Sequence, residues 1–485
     1  MRAFLIVVST SFIILFTSSY LMYKTGINKL YIQSEDTVPA MFLPVTIIKE
    51  RTFYADSYYE YIRAKYPQPD DKNFEKNSTP FYYKKVISPA NLERVHYVTA
   101  FPVITGLLAV PVFFIPVMLG ITPNWNNLAV LAHITSSLIV SLSGGFLYIL
   151  LKKYFNLENF KAMLLVSVYL FGSINFSLVS QSLWQHGTLE LFTILCLLFL
   201  HKSFLPSKYR FISLFFSFFF LGMAILSRPT AVLFLPFLLL LVIDKFSNLK
   251  DKDYKNVKSS SLIILGRNLL APVFTITLSL LPSALFFYWY NKIYFYSIEN
   301  QGYAGQVLVG WLSRFPEGFL GLWISPSKGI LIYSPVFIFS LIGLWLAVRK
   351  GVWRVNLQYV IYACIVLIYT MLMGRWKHWY GGWSFGYRMA SDILPFLVLL
   401  MVPYVKSGFF EKTRHWFYAL FSISLAVQIA GLIFFDGVWH AAYDRGFRDT
   451  GWLWSVKDSE IVFYFRRVLV KFGIIRKACD VCLSG

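Results

Sequence analysis

The chain has 485 residues, of which 57% are hydrophobic and only 14% are charged. That apolar share exceeds what a soluble domain of this size can bury, so the composition excludes a soluble globular protein. The net charge of +21 does not indicate a nucleic-acid partner here, because lysine-rich loops of membrane proteins set orientation and contact anionic lipid.

Apolar stretches that approach the roughly 20 residues needed to cross a bilayer recur from the N-terminus to about residue 435. Backbone groups in lipid must pair internally, so these stretches are predicted to be helices. The first runs from Ala3 to Tyr23 after Arg2, and no convincing cleavage site follows it. We interpret it as a retained anchor in an all-α, polytopic membrane protein.

Two interpretations of the N-terminal half compete. Residues 97–119 either span the membrane or are re-entrant or interfacial, and residues 211–243 form either one kinked helix or a hairpin broken at Arg228-Pro229. A spanning 97–119 with a single 211–243 helix gives this half the inside loops 120–127 and 181–187, and neither contains Lys or Arg, against the positive-inside tendency. The second interpretation, which we prefer, gives inside loops that hold Lys152, Lys153, Lys161, Lys202, Lys208 and Arg210.

The preferred interpretation gives about eleven spans with the N-terminus inside, in one transmembrane domain of residues 1–435. Its outer loops are residues 24–127, which carry interfacial helices, 291–328 and 374–388. Residues 436–485 form a short basic tail in which Arg466, Arg467 and Lys471 alternate with apolar residues, a pattern typical of an amphipathic helix on a membrane surface. The span count places this tail outside, although its basic residues argue against that side.

An acidic pair, Glu35 and Asp36, follows the first span in the sequence Y-I-Q-S-E-D-T-V-P. Such a pair in a loop is most often a solvated turn. Its position near the membrane surface favours another interpretation, in which one carboxylate is a general base that takes a proton from an attacking hydroxyl.

Three further segments place polar residues at predicted outer ends of spans. His186 and Glu190 share a helix face, either as site residues or as a structural hydrogen-bonded pair. Arg228 could bind a lipid phosphate through two parallel hydrogen bonds or snorkel to headgroups. Lys328, in S-P-S-K-G, could contact a phosphate or anchor its span at the interface.

The densest polar cluster is G-R-W-K-H-W-Y-G-G-W-S-F-G-Y-R-M-A-S-D, which contains His378, Trp383, Arg388 and Asp392. An aromatic belt accounts for its Trp and Tyr residues. It does not account for the basic residues, nor for the glycines, which let a backbone approach a ligand. Arg388 and Asp392 are spaced to pair on a helix, so Arg388 is either held by Asp392 or free for a substrate.

Several of these segments together resemble the bacterial GT-C membrane glycosyltransferases, in the branch related to protein O-mannosyltransferases. They are the acidic pair, S-R-P-T, S-P-S-K-G-I-L-I-Y-S-P and W-Y-G-G-W-S-F-G-Y-R, and the resemblance runs from about Glu35 to Pro403. Members of that family move a sugar from a polyprenyl-phosphate carrier to an acceptor on the outer side of the membrane, usually with inversion. The resemblance implies a GT-C fold in the plasma (inner) membrane, an extracytoplasmic active site and a polyprenyl-phosphate-linked sugar as partner, with the acceptor unknown.

The resemblance also implies roles for the candidate residues. Asp36 would be the base and Glu35 its neighbour, although this Glu-Asp order departs from the family's usual pair and leaves open which residue acts. The donor phosphate would be bound by Arg228, Arg388 and Lys328, and the substrate pocket would include His186, Glu190, His378 and Trp383. No cofactor is implied, and the participation of a divalent metal stays open.

A transporter or flippase of lipid-linked sugars is the main alternative function. It would also need basic residues for phosphate, together with polar groups at the bilayer midplane and internal symmetry. The predicted spans are nearly free of charge, and their polar residues collect at one face, which favours an enzyme. A non-catalytic subunit of a cell-envelope assembly complex is a third interpretation.

Overall fold

The structure is a computed structural model that describes residues 2–27, 34–65, 79–247, 261–298, 310–349 and 356–478. Parts of the predicted loops and tail lie outside the described residues. These are 28–33 and 66–78 in the first outer loop, 299–309 in the second and 479–485 in the tail.

Helices dominate the described residues, and seven of them are long and apolar enough to cross a membrane. An eighth span results if two helices that meet at an angle of 46°, Asn159–Phe171 and Ile174–Gln181, are counted as one. The prediction of a helical, multi-pass membrane protein is thereby confirmed in its coarse form. The seven helical segments are Arg2–Lys24, Trp125–Lys153, Arg210–Ser227, Pro229–Ser247, Leu269–Phe295, Arg388–Val405 and Gly408–Phe434.

The helix Gln185–Ser203 lies in the middle of the protein, and most of its side chains are buried. It packs most extensively against Arg210–Ser227 and also against Trp125–Lys153. The outer helices differ from it, because Arg2–Lys24 and Gly408–Phe434 leave many apolar side chains exposed. Apolar side chains on the outside of a helical bundle suit contact with lipid. The remaining helices of this region are Glu317–Ile324, Ile330–Tyr333, Ile338–Val348 and Leu357–Met373.

The helical stretch between residues 211 and 243 is interrupted at Arg228-Pro229, as the preferred interpretation expects. A proline disfavours helical backbone in the preceding residue, and Arg228 is extended with φ −148° and ψ 116°. At the other end, the Arg210 guanidinium lies 3.9 Å from the centre of the Phe246 ring. The start of the first helix therefore meets the end of the second, and the two run antiparallel.

The predicted first outer loop forms a compact unit, which we call the first-loop unit, residues 34–65 and 79–118. It contains the expected short helices, Val38–Glu50, Asp56–Lys65 and Ile104–Met118. It also contains an antiparallel hairpin of Tyr83–Ser88 and Asn91–Thr99, which corrects the wholly helical prediction for this loop. A two-stranded hairpin is marginal alone, and this one is fixed by His96 Nδ1, which lies 2.6 Å from Asp56 Oδ2 on the neighbouring helix.

The predicted tail is folded against the predicted outer loops over residues 436–478, which we call the C-terminal segment. It contains the helices Val438–Tyr443 and Glu460–Lys471. Ser325 Oγ donates to the Leu453 carbonyl at 2.7 Å, and Trp383 Nε1 donates to Asp444 Oδ2 at 2.9 Å. The segment therefore lies on the same side of the protein as the two loops that contain Ser325 and Trp383.

A buried tryptophan packs the aromatic loop, residues 374–387, against the helix Glu317–Ile324. Trp379 is fully buried in this loop, and its ring lies against the helix. A Cβ atom on Gly321 would approach the ring to 2.2 Å, and one on Gly318 would approach the Gly374 carbonyl to 2.1 Å. Only glycine allows these approaches, so helix and loop form one packed body.

Candidate functional site

The Asp36 carboxylate and the Arg388 guanidinium form an ion pair across 352 residues of sequence, with Arg388 Nη1 2.7 Å from Asp36 Oδ2. The Asp36 side chain is 24% exposed and that of Arg388 is 13% exposed. The pair thus retains access to the surface although both side chains are largely enclosed. Two residues that the sequence analysis selected from distant segments are brought together here.

Local structure fixes each partner of this pair. Asp36 lies in a 3-10 turn, Glu35–Thr37, which Ser34 caps by accepting a hydrogen bond from the Asp36 N–H at 3.4 Å. Ser182 Oγ donates to Thr37 Oγ1 at 2.9 Å and ties this turn to the segment before the central helix. Glu35 begins the same turn, and its carbonyl accepts from the N–H of Val38.

Arg388 begins a second 3-10 turn, Arg388–Ile393, directly after the aromatic loop. The loop reaches it through Gly386, whose φ of +64° lies in the left-handed region that favours glycine. The arginine side chain then lies over the indole of Trp184, with its guanidinium carbon 4.8 Å from the ring centre. A guanidinium over an aromatic face is favourably held by the ring quadrupole.

Two N–H donors beside the ion pair have no hydrogen-bond acceptor among the described residues. They are Arg388 Nε and Trp184 Nε1, and both atoms are buried. Buried donors normally have a partner, since an unpaired one costs about 1–3 kcal/mol. An anion bound beside Asp36 could supply the missing acceptors.

Asp392 belongs to a separate set of buried contacts. Its carboxylate lies 2.7 Å from His186 Nδ1 and 2.8 Å from Arg228 Nε, and it also accepts from the Tyr369 hydroxyl. Arg228 Nη1 lies 3.0 Å from His186 Nε2, which closes the set. We call these four residues the Asp392 network. Of the two alternatives for Arg388, the structure shows Arg388 paired with Asp36 and Asp392 paired elsewhere.

Lys328 is fully buried rather than displayed at the outer end of its span. Its ammonium lies 3.3 Å from Glu460 Oε2 and 3.1 Å from His440 Nε2, and it donates to the Ser384 carbonyl. Tyr333 donates to the same Glu460 oxygen at 2.7 Å. In this Lys328 cluster the ammonium is occupied by protein groups, which does not favour direct contact with a phosphate.

The predicted pocket residues separate into different surroundings. Glu190 does not bond to His186; its carboxylate accepts from Tyr169 at 2.7 Å and from Asn175 at 2.9 Å. The Trp383 ring stacks on His440, with ring centres 5.9 Å apart, so it faces the C-terminal segment.

His378 lies within electrostatic range of the Asp36–Arg388 pair. Its Nδ1 is 3.0 Å from the Tyr380 hydroxyl. Burial lowers the pKa of His378 to about 4, the positive charges of Lys377 and Arg388 act in the same direction, and Asp36 opposes them. The imidazole is therefore neutral at pH 7, when it can donate or accept a hydrogen bond but adds no charge to the site.

Burial also acts on the Lys328 cluster. It lowers the pKa of Lys328, against the effect of Glu460, and it raises the pKa of Glu460, against the effect of Lys328. Burial together with the Lys328 charge lowers the pKa of His440 well below its ordinary value. The cluster is thus held by hydrogen bonds and by one enclosed ion pair.

Sequence reasoning did not select Trp184 as a phosphate contact, and it missed Glu460 and Tyr369 altogether. Trp184 contacts the Arg388 guanidinium and its ring centre lies 6.2 Å from that of His186, and its place two residues before His186 was the only local signal. Across the described ranges, no group of three or more His, Cys, Asp or Glu side chains could hold a metal ion.

Comparison of the chain with models of known protein families, with curated proteins and with solved structures found no match.

Proposed function

We propose that this protein is a membrane glycosyltransferase that moves a sugar from a polyprenyl-phosphate carrier to an acceptor hydroxyl. The observation that carries the proposal is the Asp36–Arg388 pair, which joins an accessible carboxylate to a guanidinium at the ends of apolar helices. A carboxylate serves as a base for the hydroxyl, and a guanidinium suits a phosphate. The resemblance to GT-C enzymes supports the same function.

The proposal includes eleven spans and an extracytoplasmic site in the plasma (inner) membrane. The eight candidate spans become eleven if Gln185–Ser203 and the shorter apolar helices Pro335–Val348 and Leu357–Met373 also cross. Helix ends that carry Lys152, Lys153, Lys202 and Arg210 then lie on the inside, as the positive-inside tendency requires. Asp36 and Arg388 lie at the other end of the bundle.

The unpaired donors beside the ion pair support a phosphate site. Arg388 Nε and Trp184 Nε1 would donate to phosphate oxygens while Arg388 Nη1 keeps its contact with Asp36. A single guanidinium would then hold the base and the leaving group in one frame. Preorganised donors in a site shielded from water stabilise developing charge more strongly than donors in solvent.

In the proposed step, the acceptor oxygen attacks the anomeric carbon of the sugar on the face opposite the phosphate. The acceptor proton passes to the Asp36 carboxylate, a new carbon–oxygen bond forms, and the bond between the anomeric carbon and the phosphate oxygen breaks. The bonding electron pair leaves with the phosphate, where the added negative charge strengthens the Arg388 hydrogen bonds. The products are the inverted glycoside and polyprenyl phosphate.

The test uses the full-length protein in nanodiscs of bacterial phospholipid. It is supplied with polyprenyl phosphates that carry radiolabelled hexoses or pentoses, and with a cell-envelope extract as the source of acceptor. Asp36→Asn removes the carboxylate. It should reduce the release of polyprenyl phosphate by about 10²- to 10⁴-fold, the usual contribution of a general base. The control is Glu60→Gln, which removes a largely exposed carboxylate of the first-loop unit and should release polyprenyl phosphate at the wild-type rate.

Full release by Asp36→Asn would rule out Asp36 as the base. If sealed vesicles instead move the intact labelled carrier across the bilayer without loss of sugar, the protein is a flippase and the transferase proposal is wrong.

A further inference from the structure

The Asp392 network lies directly behind the proposed phosphate contacts. Its four members come from four separate segments of the chain. They are His186 from the central helix, Arg228 from the break before Pro229, Tyr369 from Leu357–Met373 and Asp392 from the turn Arg388–Ile393. His186, Tyr369 and Asp392 are buried, and the Arg228 side chain is 11% exposed. Each carboxylate oxygen of Asp392 has a partner, Oδ1 in His186 and Oδ2 in Arg228 and Tyr369. The network therefore fixes the turn in which Asp392 lies.

The same turn begins with Arg388. Ser391 Oγ donates to the Arg388 carbonyl at 2.9 Å, and it also lies 2.8 Å from His186 Nδ1. One serine hydroxyl thus joins the backbone of the phosphate-binding arginine to the network. A shift of Asp392 or His186 would be transmitted to Arg388 through this short, hydrogen-bonded turn.

The other proposed phosphate contact is joined to the network as well. Trp184 precedes His186 by two residues, at the start of the central helix, and the two rings lie 6.2 Å apart. His186 therefore holds the end of the helix that presents the indole, while Asp392 holds the turn that presents the guanidinium. Both donors that lack an acceptor, Trp184 Nε1 and Arg388 Nε, are set by one buried assembly.

We infer that Asp392, His186 and Arg228 are positioning residues that set Arg388 and Trp184 for the donor phosphate, and that Arg228 itself does not bind it. This inference rests on the proposed function. Arg228 is 11% exposed and its Nε lies 2.8 Å from Asp392. Turning it toward a ligand would leave the fully buried Asp392 carboxylate without its cation, and a buried charge that loses its partner is strongly destabilising.

The two roles for Arg228 give different results in a double-mutant cycle. The probe is radiolabelled polyprenyl phosphate, whose retention by immobilised nanodiscs gives a dissociation constant. Arg388→Gln should weaken retention by about tenfold or more, and Asp392→Asn and Arg228→Gln should each weaken it by about tenfold. Each double variant with Arg388→Gln should lose less binding than the product of the two single losses, because the share of each loss that acts through Arg388 is gone and only the share that acts through Trp184 remains.

The opposite pattern overturns the inference. If Arg228 binds the phosphate directly, Arg228→Gln and Arg388→Gln will multiply their losses. In that case Asp392→Asn, which releases Arg228 from its carboxylate, will bind the probe as well as the wild type or better.

Two milder variants distinguish a loss of positioning from a loss of folding. Tyr369→Phe removes one hydroxyl donor to Asp392 and no charge, and Arg228→Lys keeps the charge while losing the Nη1 contact with His186. Both should retain the wild-type thermal midpoint and weaken retention by about two- to fivefold, and this effect should be smaller in the Arg388→Gln background. The control is Glu411→Gln, which removes a partly exposed ion pair with Lys161 and should leave retention unchanged.

The release assay separates the two proposals. A wild-type protein that releases polyprenyl phosphate from its donors, combined with multiplicative losses for Arg228→Gln, rejects the positioning role and leaves the transferase intact. A wild-type protein that neither retains polyprenyl phosphate nor releases it rejects both.

Discussion

Two ion pairs border the aromatic loop in opposite surroundings. Lys328 and Glu460 have no exposed side-chain surface, and their neighbours Tyr333, His440 and the loop backbone supply further hydrogen bonds. Asp36 and Arg388 are partly exposed, and a buried nitrogen of Arg388 lacks an acceptor among the described residues. Lys328–Glu460, which we call the closed pair, connects the C-terminal segment to the loop. Asp36–Arg388, which we call the open pair, retains a hydrogen-bond donor for a ligand.

This difference shows why charge alone does not identify a site residue. From the sequence, Lys328 and Arg388 were equal candidates for the donor phosphate, since both are basic and lie at predicted outer ends of spans. In the structure, the Lys328 ammonium makes its contacts with protein groups. Arg388 keeps one buried nitrogen, Nε, that has no acceptor among the described residues. The two pairs should therefore differ in their effects on stability and on transfer.

The largest effect is expected from opening the closed pair. Glu460→Gln leaves the Lys328 ammonium buried without its counter-charge, and breaking a buried pair in this way costs about 3–5 kcal/mol. The thermal midpoint should fall, and limited proteolysis should cut the C-terminal segment faster. Arg467→Gln, which breaks the partly exposed pair with Asp436, is the control and should cost no more than about 1 kcal/mol. Equal midpoints for the two variants would contradict a structural role for the closed pair.

The open pair should respond in the other way. Arg388→Gln should reduce release of polyprenyl phosphate by about 100-fold, as expected when one donor to a developing charge is removed. Its thermal midpoint should fall less than that of Glu460→Gln, because the Asp36 side chain is 24% exposed and water can solvate its carboxylate when the partner is lost. Arg63→Gln, from the surface pair with Glu60, is the control for the loss of one arginine charge. A large fall in the thermal midpoint without a selective loss of polyprenyl phosphate release would show that Arg388 has a structural role instead.

A smaller effect is expected from acid. Burial lowers the pKa of His378 from 6.5 to about 4, so the folded protein resists a proton that the unfolded chain accepts. His378 therefore leaves the free energy of unfolding unchanged above about pH 6.5. It lowers that free energy as the pH decreases toward 4, by up to about 2 kcal/mol at pH 5. Thermal midpoints measured at pH 7.5 and pH 5 check this, with His378→Gln expected to lose less than the wild type. An identical acid response in both proteins would exclude His378 as its source.

The helical bundle was predictable because its cause is local. Long apolar runs need no partner to be recognised, and Arg228-Pro229 marks the break of the hairpin through the backbone restriction that proline imposes. The strands Tyr83–Ser88 and Asn91–Thr99 were missed, because a short hairpin gains its stability from packing on neighbouring helices and has a weak pattern of its own.

The site was predictable as a set of residues and less so as a set of contacts. Asp36 and Arg388 were selected because each lies beside a span, but their pairing across 352 residues has no local signature. The spacing of Arg388 and Asp392 favoured a bond between them, yet in the folded bundle Asp392 pairs with Arg228 at 2.8 Å and with His186 at 2.7 Å. Glu460 was missed because it lies in a segment that composition alone describes as a basic tail.

The closed ion pair also has a consequence for biosynthesis. Lys328 is made 132 residues before Glu460, the carboxylate that balances it. During that interval the ammonium has to remain hydrated or paired with a lipid headgroup, and the aromatic loop cannot reach its final arrangement around it. Ribosomes stalled between the two positions should therefore carry a nascent chain that is already inserted in the membrane and whose aromatic loop is still open to protease.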